Sequence, residues 1–171
     1  LGWRARQLAG TKPEDVPLAA RVSDRLATME RFGQKNGRGF YVYQEGSRAG
    51  QPDPEVVQIC EDISSELGIE RSEIDDEEVL QRCLYALINE GARILEDGIA
   101  IRPCDIDIVY INGYGFPEVT GGPMFWADQQ GLDKVHAKIV EFREKYGDFW
   151  TPAPLLERLA NEGKTFGSLQ G

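Results

Sequence analysis

The sequence contains few of the residues that usually build reactive centres. Its 171 residues include one histidine, His136, and three cysteines, Cys60, Cys83 and Cys104. The cysteines are far apart, odd in number and form no CxxC pair, which favours a reduced, cytoplasmic protein over a disulfide framework. One histidine with scattered cysteines lacks the ligand spacing of a zinc site. A general base needs a positioned partner and a cleft. The sequence indicates neither for His136, so we predict no metal ligand and no catalytic role for it.

Long apolar runs are also missing, which predicts that the chain contains no membrane span. The start of the chain does not have the basic and then apolar character of a secretory signal. Hydrophobic residues make up 41% of the sequence and charged residues 28%, values typical of a globular protein. The length fits one ordinary domain, or one domain with a piece of another.

Positive charge is scarce except at the start of the chain. Residues 1–48 hold nine Lys/Arg against five Asp/Glu, whereas residues 49–171 hold ten against twenty-four, and the net charge is −10. Nucleic acid is therefore a poor partner for the acidic part. The basic part could face an anionic ligand or the acidic remainder of the fold. We favour the second interpretation, because charge patterning usually serves solubility and packing.

The chain has no recognisable nucleotide-binding loop. The stretch RFGQKNGRGFYVY, residues 31–43, matches neither GxGxxG nor GxxxxGK[ST], and it precedes an extended segment instead of a helix. Its three glycines predict a structural turn. Lys35, Asn36 and Arg38 remain candidates for contact with an anionic ligand or with a neighbouring domain. A dinucleotide-binding βαβ unit is also missing from the pattern.

Apolar periodicity predicts a mainly α fold. Asp75 resembles an N-cap, with Glu78 three residues later, for the strongest helix, which continues to Gly98 and in which Gly91 would let a neighbour approach closely. The one strand-like segment is 40–43, and 46–54 has the composition of a linker. Further helices are predicted over 14–31, from Pro54 to Gly68, from Pro103, over 132–146, and after an N-cap and N1 pair at Thr151 and Pro152.

The most unusual stretch is NGYGFPEVTGGPMFWAD, residues 112–128. Gly121 and Gly122 permit a close approach of another backbone, and Pro123 suits the first position of a helix. Three aromatic side chains, Phe116, Phe125 and Trp126, are expected to supply large buried area. We interpret this corner as a rigid helix–loop–helix joint that fixes a packing angle and carries no chemistry.

A faint internal repeat relates the two ends of the chain. DRLATMERFGQK, residues 24–35, is similar to ERLANEGKTFG, residues 157–167. The repeat predicts that residues 1–45 are the rear part of a helical domain, that 46–74 are a linker with one helix, and that 75–171 are a complete second copy. Because residue 1 is Leu and not Met, we expect the chain to be a processed or trimmed piece of a longer protein.

Three stretches together resemble one family. Residues 31–43, the segment 78–128 and the following GLDKV, 131–135, are similar to the C-terminal helical region of 3-hydroxyacyl-CoA dehydrogenases. The resemblance is closer to the multifunctional fatty-acid β-oxidation enzymes, which join enoyl-CoA hydratase to that dehydrogenase. It implies two tandem helical C-terminal domains, of which this chain would hold the end of the first and all of the second.

The resemblance also implies a reaction and a division of labour. In the family, a His–Glu pair deprotonates the 3-hydroxyl of an acyl-CoA while a hydride passes to NAD, and both the pair and the cofactor belong to a Rossmann domain. The family places a functional Asn early in the long helix of the first helical domain, and the matching position of the second copy is Gln81, followed by Arg82. We therefore assign no catalytic and no cofactor-binding residue to this chain, and expect NAD only in the longer enzyme.

Two functions follow as expectations. In the first, the chain is a structural part of the β-oxidation enzyme that pairs with the missing Rossmann and first helical domains and is inactive alone. In the second, it is a non-enzymatic module that self-associates, for example as a homodimer through helical faces, an idea motivated by the apolar start Leu1-Gly2-Trp3. The resemblance extends the expected location from the cytoplasm to peroxisomes or mitochondria for a eukaryotic protein.

Overall fold

Eight α-helices and two short β-strands form the regular structure of residues 2–169, the part of the chain that the computed structural model describes. This content confirms the mainly α expectation. The chain divides into two compact units, Leu1–Glu73 and Ile74–Gly171. The elements in chain order are α1 (Gly2–Leu8), α2 (Leu18–Thr28), β1 (Tyr41–Tyr43), β2 (Gly50–Pro52), α3 (Pro54–Glu66), α4 (Asp76–Glu96), α5 (Pro103–Tyr114), α6 (Pro123–Gln130), α7 (Leu132–Tyr146) and α8 (Pro154–Glu162).

The first unit is built on a small core between α2 and α3. Its buried apolar residues are Leu26 of α2 and Val56, Ile59 and Ile63 of α3. The strands β1 and β2 pair in antiparallel fashion, with Tyr43 opposite Gly50. The helix predicted from Pro54 is confirmed, and Gly68 follows it with a φ of 64°.

Two predictions for this unit are wrong in detail. The helix expected over 14–31 is shorter, because Pro17 occupies the N-cap of α2 and Glu30, with a φ of 57°, lies beyond its end. A second strand, β2, lies in the stretch interpreted as a linker, and the helix α3 that follows packs on α2. The assignment of 1–45 and 75–171 to two copies of one domain stays a prediction.

The second unit has a larger core to which α4, α5, α6, α7 and α8 contribute. Its buried apolar residues are Tyr85, Ile88, Ala92, Ile106, Met124, Ala127, Leu132, Val135, Ile139, Phe142, Trp150, Ala153, Leu155, Leu156, Leu159 and Phe166. The helix α4 contacts α5, α6 and α8, so the longest helix is the central support of this unit.

The predicted ends of α4 are confirmed. The Asp75 carboxylate accepts a hydrogen bond from the Glu78 N–H at 2.7 Å, which satisfies one of the free donors of the first turn. The helix ends at Glu96, and Gly98 follows with a φ of 69°. The close approach predicted at Gly91 is also present, since a Cβ there would lie 2.5 Å from Sδ of Met124 in α6.

The start of α8 differs from its prediction. Thr151 and Pro152 are not its N-cap and N1 residues, because the helix begins at Pro154 with Ala153 as the N-cap. The reason is tertiary. The Thr151 carbonyl accepts a hydrogen bond from Asn89 of α4 at 2.9 Å, and this contact fixes the extended segment that leads into the helix.

Candidate functional site

The residues predicted to contact an anion lie in one loop of the first unit, between α2 and β1. Gly33 and Gly37 both have positive φ, 83° and 77°, so the chain reverses direction tightly around residues 34–36. The Gly33 N–H donates to the Arg38 carbonyl and the Tyr43 N–H donates to the Gly37 carbonyl, each at 2.8 Å. The loop is thereby fixed to β1 and is not an open nucleotide cradle.

The structure gives the three candidates different environments. Asn36 bonds within the loop, since its side chain accepts from the Phe32 N–H at 3.1 Å and donates to the Glu30 carbonyl. Arg38 donates to the Glu55 carboxylate at 2.8 Å. Lys35 is exposed and lines an open pocket. Asn36 and Arg38 are thus engaged in structural bonds, and Lys35 keeps its charge available.

Arg31 is the charged residue of this loop that sequence reasoning missed. Its side chain is only 3% exposed, and Nε and Nη2 both donate to the Gly39 carbonyl, at 3.0 and 2.8 Å. The same guanidinium also donates to Asp53 and Glu55, which flank the first residue of α3. The hydrogen bond from Arg31, followed by one from the Glu55 N–H, holds the pKa of Asp53 below its ordinary value.

The open pocket beside Lys35 has a volume of about 520 Å³. Two segments line it, residues 34–37 of the glycine loop and residues 43–48, which run from the end of β1 into the hairpin turn. The Gln34 amide donates to the Arg48 carbonyl at 3.3 Å and joins the two segments. Polar side chains and backbone therefore form most of its wall.

In the second unit, the glycine-rich corner is a packed joint, but it includes a buried carboxylate. Asp107 of α5 is 7% exposed, and its Oδ1 accepts from the Met124 N–H at 2.7 Å, at the N-terminus of α6. Gly122 makes this possible, because a Cβ there would lie 2.4 Å from Cβ of Asp107. Burial raises the pKa of Asp107, although the N–H donors of Met124 and Phe125 act in the opposite direction.

One prediction for the corner is wrong. Phe125 was expected to be buried with the other rings, but it is 52% exposed. Trp126 is partly buried against the core, and the Phe116 ring lies 6.4 Å from that of Tyr110 in an edge-on arrangement. Sequence alone could not assign these faces, because the apolar residues of α6 are consecutive and show no helical periodicity.

Other polar groups of this unit also serve the fold. Asp128 accepts from the N–H groups of Phe166 and Gly167, at 2.7 and 2.9 Å, which fastens the C-terminal turn to α6. The buried Asn89 donates to the Thr151 carbonyl and accepts from the Ala153 N–H at 2.7 Å. Asp128 and Asn89 both form hydrogen bonds with backbone groups. These bonds give the two side chains a structural role.

The positions that the resemblance singled out lie near the start of α4. Gln81 donates to Glu77 at 3.0 Å, one turn earlier on the same helix. The Arg82 guanidinium lies 4.0 Å above the Tyr146 ring and donates to Glu78. Hydrogen bonds from the Tyr146 hydroxyl and then from Arg82 lower the pKa of Glu78.

His136 is half-buried on α7, beside the fully buried Val135. Within residues 2–169, no three His, Cys, Asp or Glu side chains come together as a metal site. None of the helices in the same range has the length and apolar character needed to cross a membrane.

The helix α5 leaves an apolar surface uncovered. Ile108 is 56% and Val109 55% exposed, while Ile106 on the other side of the helix is in the core. Ile108, Ile111 and Phe125 line a cavity of about 230 Å³. We call Ile108, Val109, Ile111 and Phe125 the α5 outer face. Neighbouring exposed apolar side chains are typical of contact surfaces, so this face has the character of one.

The comparisons with known proteins agree with the helical architecture. A family model described as "3-hydroxyacyl-CoA dehydrogenase, C-terminal domain" matches residues 79–168. The solved dehydrogenase part of a multifunctional enzyme from Caenorhabditis elegans superposes with a TM-score of 0.62 and 28% identity. This match covers 91% of the present chain and 34% of that structure.

Curated relatives share more of the sequence. The peroxisomal bifunctional enzyme of Danio rerio is 40% identical over 95% of this chain, and the human one is 38% identical over 100% of this chain. The fatty acid oxidation complex subunit alpha of Shewanella amazonensis is 39% identical over 84% of the chain. The matched region makes up only about a quarter of the two animal proteins and a fifth of the bacterial one.

The animal relatives are named as peroxisomal bifunctional enzymes, and the relative from Arabidopsis thaliana, 34% identical over 83% of this chain, is named as a peroxisomal fatty acid beta-oxidation multifunctional protein. The matched family residues include all the helices from α5 to α8 and nearly all of α4, so the family and the second unit coincide. The chain belongs to the 3-hydroxyacyl-CoA dehydrogenase C-terminal domain family.

Proposed function

We propose that this chain is the C-terminal helical part of a fatty-acid β-oxidation enzyme that oxidises 3-hydroxyacyl-CoA to 3-ketoacyl-CoA with NAD. Its own role is to pack against the catalytic domains and to support the acyl-CoA cleft. The longer enzyme would also carry enoyl-CoA hydratase and would work in the cytoplasm, or in peroxisomes or mitochondria of a eukaryote. The observation that carries the proposal is the match of a family domain model to the second unit, together with relatives about four times as long as this chain.

The state of the polar side chains supports a structural role. The most deeply buried ones in the second unit, Asn89 and Asp107, bond to backbone N–H or carbonyl groups. Gln81 occupies the position where the family's first helical domain has a functional Asn, and it bonds to Glu77 on its own helix. A support domain needs side chains that fix its helices and connecting segments to one another, and the hydrogen bonds of Asn89 and Asp107 do this.

The first experiment is a direct assay of the 171-residue protein with NAD and 3-hydroxybutyryl-CoA, followed by absorbance of NADH. We expect no turnover and no NAD binding by calorimetry, because the His–Glu pair and the cofactor belong to the Rossmann domain. The longer enzyme serves as the positive control. Turnover by the isolated chain, above that of a heat-treated sample, would refute the proposal.

The second experiment tests the support role in the longer enzyme. Deletion of the part that corresponds to 74–171 is expected to lower kcat/KM for 3-hydroxyacyl-CoA strongly, while the hydratase activity persists. Full dehydrogenase activity of the truncated enzyme would contradict a supporting role. Unchanged hydratase activity controls for general misfolding.

The α5 outer face favours a second candidate, a helical module that self-associates. The earlier motivation for this idea is weaker, because Leu1 lies outside the described residues and Trp3 is half-buried, with its ring 6.3 Å from that of Phe32. The exposure of Ile108 and Val109 supports it independently. In the first candidate the same face would contact the missing first helical domain.

Sedimentation of the isolated chain separates the two candidates. If the face joins copies of this chain, Ile108→Asp should convert a dimer to a monomer, and Val57→Asp, at a 51% exposed position of α3, should not. A wild-type protein that stays monomeric at high concentration would exclude self-association. In that case Ile108→Asp in the longer enzyme should lower dehydrogenase activity.

A further inference from the structure

The segment that connects α3 to α4 has no regular structure. It consists of residues 69–75, between the end of α3 near Glu66 and the start of α4 at Asp76, and all of these residues are exposed. The division of the chain into two compact units falls inside this connecting segment, between Glu73 and Ile74. Each unit has its own buried core, so the connecting segment joins two folded parts and belongs to neither core.

The middle of the connecting segment also lacks hydrogen bonds that would hold it in place. In the part of the chain that the structure describes, the backbone of residues 70–74 forms no bond with another backbone group. The nearest bonds on either side are those of the Ile69 N–H to the Ser64 carbonyl, at 2.8 Å, and of the Glu78 N–H to the Asp75 carboxylate, at 2.7 Å. Residues 70–74 can therefore become extended without the loss of a bond of the fold.

Arg71 is the only basic residue between Arg48 and Arg82. Among the described residues, no carboxylate lies within 4.0 Å of its guanidinium. A trypsin-like serine protease binds an Arg or Lys side chain in a pocket with a carboxylate at its base and cleaves the peptide bond that follows. The residue that follows here is Ser72, which leaves the bond open to such an enzyme.

The other basic residues are less suitable for cleavage. Lys12 and Arg102 are each followed by a proline, and trypsin-like proteases cleave poorly before this rigid residue. The Arg48 carbonyl accepts a hydrogen bond from the Gln34 amide at 3.3 Å, and the Lys164 N–H is bonded to the last turn of α8 at 2.9 Å. Most of the remaining basic residues lie in helices. Cleavage at the bonded positions first requires local opening, which costs free energy.

We infer that the Arg71–Ser72 peptide bond is a processing site for a trypsin-like serine protease. The reaction consumes one water molecule. Its oxygen adds to the carbonyl carbon of Arg71, which becomes a carboxylate, and its two protons pass to the nitrogen of Ser72, which becomes an ammonium group. The products are residues 1–71, with the core of the first unit, and residues 72–171, with the core of the second.

Limited digestion of the 171-residue protein with trypsin, followed by intact mass spectrometry, tests this site. The first products are expected to be 1–71 and 72–171. This cut should be at least about tenfold faster than any other, because each hydrogen bond that must open elsewhere contributes about 1 kcal/mol. Arg71→Gln should abolish the first cut. Arg48→Gln, at an exposed arginine of the bonded hairpin loop, should leave its rate unchanged.

A glutamyl-specific protease gives a second measurement on the same segment. It is expected to cleave both the wild type and Arg71→Gln first after Glu70 or Glu73, which lie on either side of the proposed bond. This result would show that Arg71→Gln removes the side chain that trypsin recognises and leaves the connecting segment accessible. Circular dichroism should show that both fragments of the wild type keep their helices.

Three results would overturn the inference. The first is trypsin cleavage at Arg48, or at another basic residue, that is as fast as cleavage at Arg71. The second is resistance of the connecting segment to both proteases. The third is loss of helical structure in either fragment directly after the cut, because the bond would then lie within one folded body. None of these measurements depends on dehydrogenase activity, so the proposed function is judged separately by its own assays.

Discussion

Among the charged side chains of the first unit, Arg31 is expected to have a large effect on stability. Its guanidinium is buried and joins the Gly39 carbonyl to Asp53 and Glu55. Removal of one partner from a buried ion pair leaves an uncompensated charge. Arg31→Met is therefore expected to lower the free energy of unfolding of the first unit by about 3 kcal/mol, measured by urea titration.

Arg38→Met is the matched control, because it removes an arginine from the same Glu55 at an exposed position. Exposed ion pairs contribute little, so its loss should stay below about 1 kcal/mol. Equal losses for the two variants would show that Arg31 acts as an ordinary surface cation, contrary to its burial.

Two carboxylates are expected to respond to pH in opposite directions. The pKa of Asp53 is lowered, so its contribution to stability is present above its ordinary pKa of about 3.9 and is lost as the pH falls from that value through the lowered one. The pKa of Asp107 is raised, so its contribution is present below the ordinary value and is lost as the pH rises through the raised one.

This difference is measurable by urea unfolding of Asp53→Asn and Asp107→Asn between about pH 6 and about pH 3. On acidification, the stability advantage of the wild type over Asp53→Asn should shrink, and its advantage relative to Asp107→Asn should grow. Parallel pH profiles for the two variants would contradict the assigned directions. ¹³C NMR titration of the two carboxyl groups gives the same comparison without denaturant.

At the level of the helices, the joint between α5 and α6 depends on Gly122. Its φ is 96° and a Cβ would lie 2.4 Å from Asp107, so Gly122→Ala combines backbone strain with a clash against a buried residue. We expect a loss of at least about 3 kcal/mol in the second unit, measured by thermal or urea unfolding.

Gly113→Ala supplies the control for that change within the same corner. Gly113 lies in α5, and a Cβ there meets nothing within 4 Å. Alanine is the better helix former, so this variant should be up to about 1 kcal/mol more stable than the wild type. Similar losses at both glycines would mean that the corner tolerates no side chain for a reason other than contact with Asp107.

Helices whose signals are local could be predicted from the sequence. The cap of α4 at Asp75, its end near Gly98 and the start of α5 at Pro103 depend on residues adjacent in the chain. The start of α8 depends on Asn89, which is 62 residues away from Thr151, and β2 exists only through its pairing with β1. Contacts of this kind leave no periodic pattern, so these elements were misplaced or missed.

The candidate site, like the helices, could be predicted only where its signals are local in the sequence. The glycine loop drew attention to Lys35, Asn36 and Arg38, but only coordinates could assign Asn36 and Arg38 to structural bonds. Arg48 lines the same pocket as Lys35, but the sequence did not indicate this. Its position depends on a hairpin whose second strand was not predicted. Residues that meet across a turn are apparent only when the turn and its register are known.

For the chain as a whole, the two units differ in the size of their cores. Among the described residues, four buried apolar residues form the core of the first unit and sixteen form that of the second. Small cores give marginal stability, because conformational entropy opposes folding in proportion to chain length. We therefore predict two unfolding transitions in urea, with the first unit unfolding at the lower concentration.

Tryptophan fluorescence can assign these transitions, because Trp3 lies in the first unit and Trp126 and Trp150 lie in the second. Far-UV circular dichroism should report both transitions, and Trp3→Phe should remove the early fluorescence change while the late one persists. Arg31→Met should move only the early transition, and Gly122→Ala only the late one. A single transition that shifts with both variants would mean that the units unfold together, and the stability of the first would then depend on the second. In a longer enzyme the same dependence would couple the helical support to the domain that precedes it.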